Sequence, residues 1–420
     1  MTNKPFYEEL GEFLSTPDGI KKLNEKIFKD GTITINILAK DEINDNSKFY
    51  YHIKSLTSEG EFPEELKTSI NMINSYLVQN GEAKGYKDKE NNWSIFYLLK
   101  ELITELKLNK FNYFRGQEKN WDTVPAIFRK KKDVTGNNLY SKFEKIYKKI
   151  SQEFPEELDY IDLESIKDIE ARASQLAILQ HYGLPTALLD ITENPYIAML
   201  FMLSEERAIF DPKLEAYSIN TDDTSKSIVS FVNKYKQNKR IRAQKGAFLN
   251  YEKLKDKVIF SEDKISLKTD TRIERVIIRF NFSVEDSISY LEAIIKRLDD
   301  DNCGDFRLEL EKLCEKYNQD FTKLEPNIIS SHSSNSKAHD KTLNRDTINT
   351  IISTFQKDNG ELGKQQYYNR IQQELITKLK EYEYYESDLF PDFKDYIHYK
   401  TKGFSTEEKN TKIQKLPRRN

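Results

Sequence analysis

The apolar positions in the N-terminal part of the chain follow helical and strand-like spacings in turn. Residues 6–14 and 66–77 carry apolar side chains three and four positions apart, which is the spacing of one helix face. Residues 31–40, GTITINILAK, alternate apolar and polar side chains as in a half-buried strand, and residues 48–56 could pair with them. We therefore expect residues 1–92 to form a small N-terminal α+β region.

The middle of the chain is predicted to combine helices with short strands. Residues 93–108 have a strongly amphipathic pattern that leads into an aromatic strand, FNYFRGQ, at residues 111–117. A later helical pattern should end at Gly183, which can adopt the left-handed conformation after a helix, because Pro185 prevents its continuation. These patterns indicate an α+β fold.

The stretch QHYGLPTALLDITENPYIAMLF, residues 180–201, places several polar groups between two apolar helical runs. The run TALLDIT is strand-like, and Asn194 followed by Pro195 is typical of a helix start. Asp190 and Thr192 should therefore lie at a strand end and in the next turn, a common place for ligand-binding groups. The structural alternative is that Asp190 caps a helix or pairs with an arginine, and that Thr192 bonds within the turn.

Other polar candidates lie in the FNYFRGQ strand and at a helix end. Arg115 is followed by Gly116, which lets a backbone or a ligand approach closely, and by Gln117. His181 and Tyr182 are expected in the last turn of a helix. A structural salt bridge is the alternative for Arg115, and a hydrogen bond to a terminal carbonyl is the alternative for His181.

The C-terminal half is predicted to contain strands and a long helical segment. Gln244 and Gly246 lie in one of several runs with alternating apolar positions. Residues 299–385 are mostly helix-forming, so we interpret them as a helical insertion. Residues 401–420 form a basic tail that we expect to be disordered.

Composition narrows the class of protein and its partners. The net charge of -3 is small beside 66 basic and 69 acidic residues, so no overall field attracts nucleic acid or an anionic membrane. The chain has no run of 18 apolar residues, which predicts no association with a membrane. With only Cys303 and Cys314, a reducing cytoplasm is the better interpretation, and a metal site is not expected.

Motifs of several large enzyme classes are absent from the sequence. There is no P-loop, no GxGxxG, no GxSxG and no HExxH. The sequence therefore gives no support for a nucleoside triphosphatase, a Rossmann oxidoreductase, a hydrolase with a nucleophile elbow or a zincin.

Several short segments stand out when the chain is followed in order. They are FRGQ at 114–117, IFR at 127–129, QHYGLPTALLDIT at 180–192 with NPYIAMLF after it, RIRAQKGAF at 240–248 and LFPDF at 389–393. In this order they resemble the FRG domain, a bacterial family named for its Phe/Tyr-Arg-Gly motif, over residues 93–400. The chain departs from the family pattern at Ala187, usually arginine, at Ile191, usually tryptophan, and by a long insertion before LFPDF.

The same segments are similar in order to mono-ADP-ribosyltransferases of the Arg-Ser-Glu type. Those enzymes have an aromatic-Arg-Gly strand, a Ser-Thr-Ser strand before a helix, and a strand with Glu/Gln-X-Glu. The corresponding positions here are Arg115, residues 190–192 and residues 244–246. The resemblance implies an ADP-ribosyltransferase-like mixed sheet core flanked by helices, with NAD as the cofactor.

The resemblance also implies roles in holding NAD. Arg115 would hold phosphate or ribose as a bidentate donor, and Gly116 would permit close approach of the nicotinamide. Thr192 would orient Arg115 or the ribose. Gln117 and Tyr182 belong to the same predicted cofactor-binding set.

The catalytic position is where the chain departs from these enzymes. A carboxylate normally hydrogen-bonds the ribose there, but this chain has Gly246, with Gln244 two residues earlier, and neither can act as a general base. The catalytic candidates are therefore Asp190 and His181, with Gln244 beside them. Alternatively, the site binds a nucleotide without transferring anything.

Three functions from different classes follow. The first is a cytoplasmic effector that binds a nucleotide or NAD and modifies a protein or nucleic-acid acceptor, in phage defence or with an antitoxin partner. The second is a non-catalytic interaction module, in which Arg115 and Asp190 would form a buried ion pair. The third is an effector that acts on nucleic acid through the basic run at residues 129–132.

Overall fold

A computed structural model of the chain shows a mixed sheet between two layers of helices. It describes residues 4–40, 50–82, 94–129, 138–165, 167–203, 209, 211–222, 227–231, 246–261, 264–267, 272–282 and 368–389. The predicted α+β class is confirmed, since helices and an eight-stranded sheet share one fold. Within these ranges no helix is both long enough and apolar enough to cross a bilayer.

The elements are named here in chain order. The helices are α1 (Phe6–Phe13), α2 (Pro17–Ile27), α3 (Glu64–Glu82), α4 (Ile95–Leu108), α5 (Leu139–Glu153), α6 (Ile169–His181) and α7 (Pro195–Met202), and residues 368–381 are also helical. The strands are β1 (Phe28–Lys40), β2 (Tyr50–Gly60), β3 (Tyr113–Gln117), β4 (Leu188–Thr192), β5 (Lys213–Ser218), β6 (Val229–Ser230), β7 (Gly246–Asn250), β8 (Val258–Ser261), β9 (Lys264–Leu267) and β10 (Ile273–Phe282). Short 3-10 turns occupy Ala126–Phe128, Tyr251–Leu254 and Glu386–Leu389.

The large sheet has the strand order β2-β1-β10-β5-β3-β4-β7-β6, while β8 and β9 form a separate hairpin. The strand predicted at residues 31–40 pairs antiparallel with β2, as expected. Its other edge pairs in parallel with β10, far away along the chain. The sheet therefore runs continuously across the boundary predicted at residue 92.

Each face of the sheet has its own hydrophobic core. Phe114 of β3 and Leu214 of β5 pack with α3, α4, α7 and residues 368–381. Tyr113 and Tyr217, next to them along the same strands, pack with α1, α2, α5 and α6. Because neighbouring side chains of a strand point to opposite faces, the two cores lie on opposite sides of the sheet.

The turns around residues 180–202 follow the predicted signals. Gly183 has a φ of +91°, and the N–H of Leu184 donates to the carbonyl of Leu179 at 2.9 Å, which closes the end of α6. The side chain of Asn194 accepts from the N–H of Tyr196 at 3.0 Å, and Pro195 follows as the first residue of α7. Both predicted helix boundaries are confirmed.

Several predicted segments fall wholly or largely outside the described residues. They are the tail at 401–420, Gln244, the two cysteines, and all of the LFPDF segment except Leu389. The predicted insertion at 299–385 is described only from residue 368, where it is helical.

Candidate functional site

Three neighbouring strands carry charged side chains on the α1/α2/α5/α6 face of the sheet. Arg115 of β3 lies opposite Glu215 of β5, and Gln117 lies opposite Lys213. On the other side of β5, Tyr217 lies opposite Arg275 of β10. All six side chains alternate with residues of the opposite core, so they form a polar patch inside a largely apolar layer.

Gly116 lies on the opposite face of β3 and packs against a helix. A Cβ atom at this position would lie 1.8 Å from the carbonyl oxygen of Ala198 and 2.7 Å from the nitrogen of Met202. Both atoms belong to the backbone of α7, which cannot yield as a flexible side chain does. The glycine thus lets α7 approach β3, which is the backbone alternative considered for this residue.

Glu215 is the centre of a buried network, which we call the Glu215 network. Its Oε1 accepts from Thr123 Oγ1 at 2.8 Å and lies 3.1 Å from Lys213 Nζ. Its Oε2 accepts from the hydroxyl of Tyr217 at 2.8 Å. Arg275 completes the network, because its Nη1 donates to Thr123 Oγ1 at 2.9 Å.

The charges of this network fix its protonation. Burial alone would raise the pKa of Glu215, but the positive charges of Lys213, Arg275 and Arg115 lower it to about 2. Burial lowers the pKa of Lys213, whereas the negative charge of Glu215 raises it, and the net shift is downward. Glu215 is therefore ionised throughout the physiological range.

Arg275 joins this network to the N-terminal strand. Its Nε and Nη2 donate to the two carboxylate oxygens of Asp30 at 2.7 and 2.6 Å, in the fork geometry that favours arginine. Its guanidinium also lies 4.0 Å from the centre of the Phe28 ring. Asp30 and Phe28 belong to β1, so residues of the N-terminal region complete the polar patch.

Arg115 is held at one side of this network without being fully bonded. Its Nη1 donates to the backbone oxygen of Asp190 at 2.8 Å. Its Nε lies 3.9 Å from Glu215 Oε2, too far for a hydrogen bond, and has no hydrogen-bond partner among the described residues. The side chain is 15% exposed. Arg115 therefore contacts the main chain of Asp190, and its carboxylate neighbour is Glu215.

The side chain of Asp190 belongs to a short hydrogen-bonded chain. Its Oδ2 accepts from Gln180 Nε2 at 3.0 Å, and Gln180 Oε1 accepts from the hydroxyl of Thr186 at 2.5 Å. Arg129 is close enough to Asp190 and Arg115 for their charges to act on it. Partial desolvation and then the positive charge of Arg115 lower the pKa of Arg129, whereas Asp190 acts in the opposite direction. Asp190 is thus held in place between the end of α6 and two arginines.

The remaining predicted site residues lie near the ends of α6 and β4. The rings of His181 and Tyr182 pack edge to face, with centroids 5.1 Å apart, and Tyr182 is 69% exposed. Thr192 is buried, and its hydroxyl oxygen accepts from the N–H of Asn194 at 3.1 Å, which is the local turn bond considered for it. Gln244, the remaining catalytic candidate, lies outside the described residues.

The structure thus places Arg115 and Gln117 on one face of β3 and Gly116 on the opposite face, and Arg115 donates a hydrogen bond to the main chain of Asp190. Sequence reasoning missed Glu215, Lys213, Arg275 and Gln180. A signal for Glu215 existed: it is a single carboxylate within KLEAYS, a strand that is buried on both faces. A charge in such a run requires partners.

A second buried network ties four helical segments together, and we call it the Arg172 network. Arg172 of α6 is fully buried and donates to Glu252 from Nε at 2.9 Å and from Nη2 at 2.8 Å. The same guanidinium donates to Glu144 of α5 and to the carbonyl of Ile161. Tyr7 of α1 donates to Glu252 at 2.5 Å. Every nitrogen of this guanidinium is hydrogen-bonded.

Comparison with known proteins identifies one stretch of the chain. Residues 110–209 match the family model of the FRG domain, so the chain contains an FRG domain from the residues before β3 to those after α7. The match is narrower than the predicted span of 93–400. No curated protein and no solved structure matches the chain. The similarity to ADP-ribosyltransferases stays a prediction.

Proposed function

We propose that the FRG domain at residues 110–209 binds a nucleotide at the polar patch around Arg115, with NAD as the ligand. The observation that carries the proposal is a surplus of positive charge together with hydrogen-bond donors that remain unused. Arg115 supplies both, because its Nε has no hydrogen-bond partner among the described residues.

The charges near Arg115 do not balance. Five cations, namely Arg115, Arg129, Lys213, Arg275 and, opposite Lys213 on β10, Arg279, lie near three carboxylates, namely Asp30, Asp190 and Glu215. Arg129 is exposed and Arg279 is half-buried, so water screens part of this charge. The surplus of cations beside the largely buried Arg115 still favours an anion. The diphosphate of a dinucleotide would supply the missing negative charge, and Arg115 would hold it through its guanidinium.

The proposed reaction is ADP-ribosyl transfer. The bond between the ribose C1′ and the nicotinamide nitrogen breaks, nicotinamide leaves with the electron pair, and the acceptor's nucleophile bonds to C1′ and loses a proton. A carboxylate next to the ribose would stabilise the oxocarbenium character of the transition state. Asp190 supports this proposal, since Gln180 holds its carboxylate at 3.0 Å while its backbone oxygen binds Arg115. His181, one residue after Gln180, is the proposed alternative base.

A thermal-shift titration with NAD tests the binding proposal. Wild-type protein should melt at a higher temperature as NAD is added, since a ligand that binds only the folded state stabilises it. Arg115→Ala should lose this shift. Arg370→Ala, which removes an exposed arginine from the helical residues 368–381, should keep it.

Labelled NAD then tests the reaction. Transfer of the ADP-ribosyl label to protein or nucleic acid should occur with wild-type protein and be lost with Asp190→Asn. A shift without transfer would leave a nucleotide-binding domain that performs no chemistry. The absence of both at millimolar NAD would overturn the proposal.

A further inference from the structure

We infer that Gln117 recognises a planar donor–acceptor edge of the bound nucleotide, either the adenine or the nicotinamide amide. The inference deepens the proposed function and rests on it. Gln117 is the last residue of β3, two positions beyond Arg115 and on the same face of the sheet.

The carboxamide of Gln117 is buried and unused. The residue is 3% exposed, and neither its Nε2 nor its Oε1 has a hydrogen-bond partner among the residues that the structure describes. A buried amide without partners costs free energy, and most buried polar side chains are satisfied. The amide of Gln117 therefore has one unused donor and one unused acceptor, side by side and near Arg115.

The neighbours of Gln117 explain why its amide nitrogen has no acceptor among the described residues. Lys213 lies directly opposite on β5, and Arg279 lies opposite Lys213 on β10. We call these three side chains the Gln117 row. Lys213 and Arg279 carry only donors, and the nearby Oε1 of Glu215 is already bound by Thr123 and Lys213. The row thus offers no acceptor to the amide nitrogen.

The row also has the charge that a nucleotide needs. The Nε of Arg279 lacks a hydrogen-bond partner in the described part of the chain, as does the Nε of Arg115. Two arginines with unused donors therefore lie on the same face as Gln117: Arg115 two positions along its own strand, and Arg279 two strands away, beyond Lys213. Phosphate oxygens would satisfy the arginines, while the amide remains available for a neutral group of the same ligand.

The neutral group is defined by the geometry of a carboxamide. An amide pairs best with a planar group that presents one donor and one acceptor side by side. The N6/N7 edge of adenine has this arrangement, and glutamine is its usual bidentate partner in nucleic-acid recognition. The carboxamide of nicotinamide has the same arrangement. NAD contains both, so fragments of NAD decide between them.

The test replaces the amide by an apolar side chain of similar length. In Gln117→Met, the melting temperature without ligand should stay the same or rise, because an unsatisfied buried amide is removed. The affinity for NAD, measured by isothermal titration calorimetry, should fall at least tenfold.

Gln175→Met is the matched control. Gln175 is also buried, but its Oε1 accepts from the N–H of Asp159 at 3.1 Å. Its replacement should lower the melting temperature and leave the affinity for NAD unchanged. If Gln117→Met instead lowers the melting temperature as Gln175→Met does and binds NAD normally, Gln117 holds the fold and the inference is wrong.

Two fragments locate the contact and separate this inference from the proposed function. If Gln117 binds adenine, Gln117→Met should lower the affinity for ADP-ribose as much as the affinity for NAD. If Gln117 binds the nicotinamide amide, the substitution should instead lower the affinity for nicotinamide mononucleotide. Gln117→Met could bind NAD, ADP-ribose and nicotinamide mononucleotide with wild-type affinity while Arg115→Ala binds none of them. That result would overturn the inference and leave the proposed function intact. Failure of the wild type to bind any of them would overturn both.

Discussion

The Arg172 network and the Glu215 network are both buried ionic clusters on the same side of the sheet, but they differ in completeness. Each nitrogen of Arg172 donates to Glu252, Glu144 or a carbonyl. Around Glu215, by contrast, the Nε of Arg115 is not hydrogen-bonded to any described residue. One network is closed, and the other is open at its edge.

The difference distinguishes side chains that hold the fold together from side chains that have donors left for a ligand. A buried guanidinium with all donors used has nothing left for a ligand, so its partners only fix α1, α5, α6 and the Tyr251–Leu254 turn. An incomplete network costs stability, and proteins accept such costs mainly at functional sites. The contrast predicts that substitutions in the closed network change stability, whereas substitutions at the open edge change ligand binding.

The largest effect is expected from opening the closed network. Arg172→Met leaves Glu252 buried without its cation, and breaking a buried pair in this way costs about 3–5 kcal/mol of unfolding free energy. Urea denaturation should show this loss. Lys149→Ala, in an exposed pair with Glu153, should change the stability by about 0.5 kcal/mol or less.

Ligand binding by Arg172→Met provides the second half of this test. At temperatures where the variant is folded, NAD should still raise its melting temperature. Loss of the NAD response with retention of the fold would show that the closed network is not purely structural.

Acid should weaken the Glu215 network next. The folded pKa of Glu215 is about 2, below the ordinary value of 4.5, so its contribution to stability is present above the unfolded pKa and is lost as the pH falls toward 2. The shift corresponds to about 3 kcal/mol. Glu215→Gln should therefore be less stable at neutral pH, and its unfolding free energy should fall less between about pH 5 and pH 3 than that of the wild type.

The same substitution sharpens the contrast in a second measurement. Removal of the central carboxylate raises the surplus positive charge, so Glu215→Gln should bind NAD at least as tightly as the wild type when folded. Weaker binding would mean that Glu215 positions the ligand-binding groups rather than only neutralising them.

The smallest of these effects concerns the glycine of the FRG motif. Gly116→Ala forces a Cβ against the backbone of α7, and overpacking of this kind costs about 1–3 kcal/mol. Gly246→Ala is the control, since its Cβ would lie 3.7 Å from the oxygen of Ile191, an ordinary contact. Differential scanning calorimetry should show a lower melting temperature for the first variant and little change for the second. Equal melting temperatures would remove the packing explanation for Gly116.

Local signals along the chain predicted the elements well. The cap at Asn194 and the helix end at Gly183 depend on a few neighbouring residues, and both lie where the sequence predicted them. The alternation in residues 31–40 predicted β1 and its pairing with β2. These features are set by short-range hydrogen bonds and by side-chain periodicity, which a single sequence displays.

Long-range partners could not be predicted in the same way. Nothing near Asp30 indicates that Arg275 will bind its carboxylate, or that β1 will pair with β10. The candidate site depends on such contacts, since its central carboxylate, Glu215, belongs to a strand that the sequence did not single out. Arg115 was predicted as a site residue because its motif is local. The side chains that surround it in space come from distant strands, so the sequence could not show that its hydrogen bonds would be incomplete.

The parallel pairing of β1 with β10 also affects how the protein folds during synthesis. Asp30 and Arg275 are separated by 245 positions, so β1 leaves the ribosome long before its partner exists. At about 5–20 residues per second, the delay is roughly ten to fifty seconds. During that time β2 can protect one edge of β1, but the other edge stays open to pairing with another chain. The nascent N-terminal hairpin is thus exposed to wrong pairing until β10 has been made.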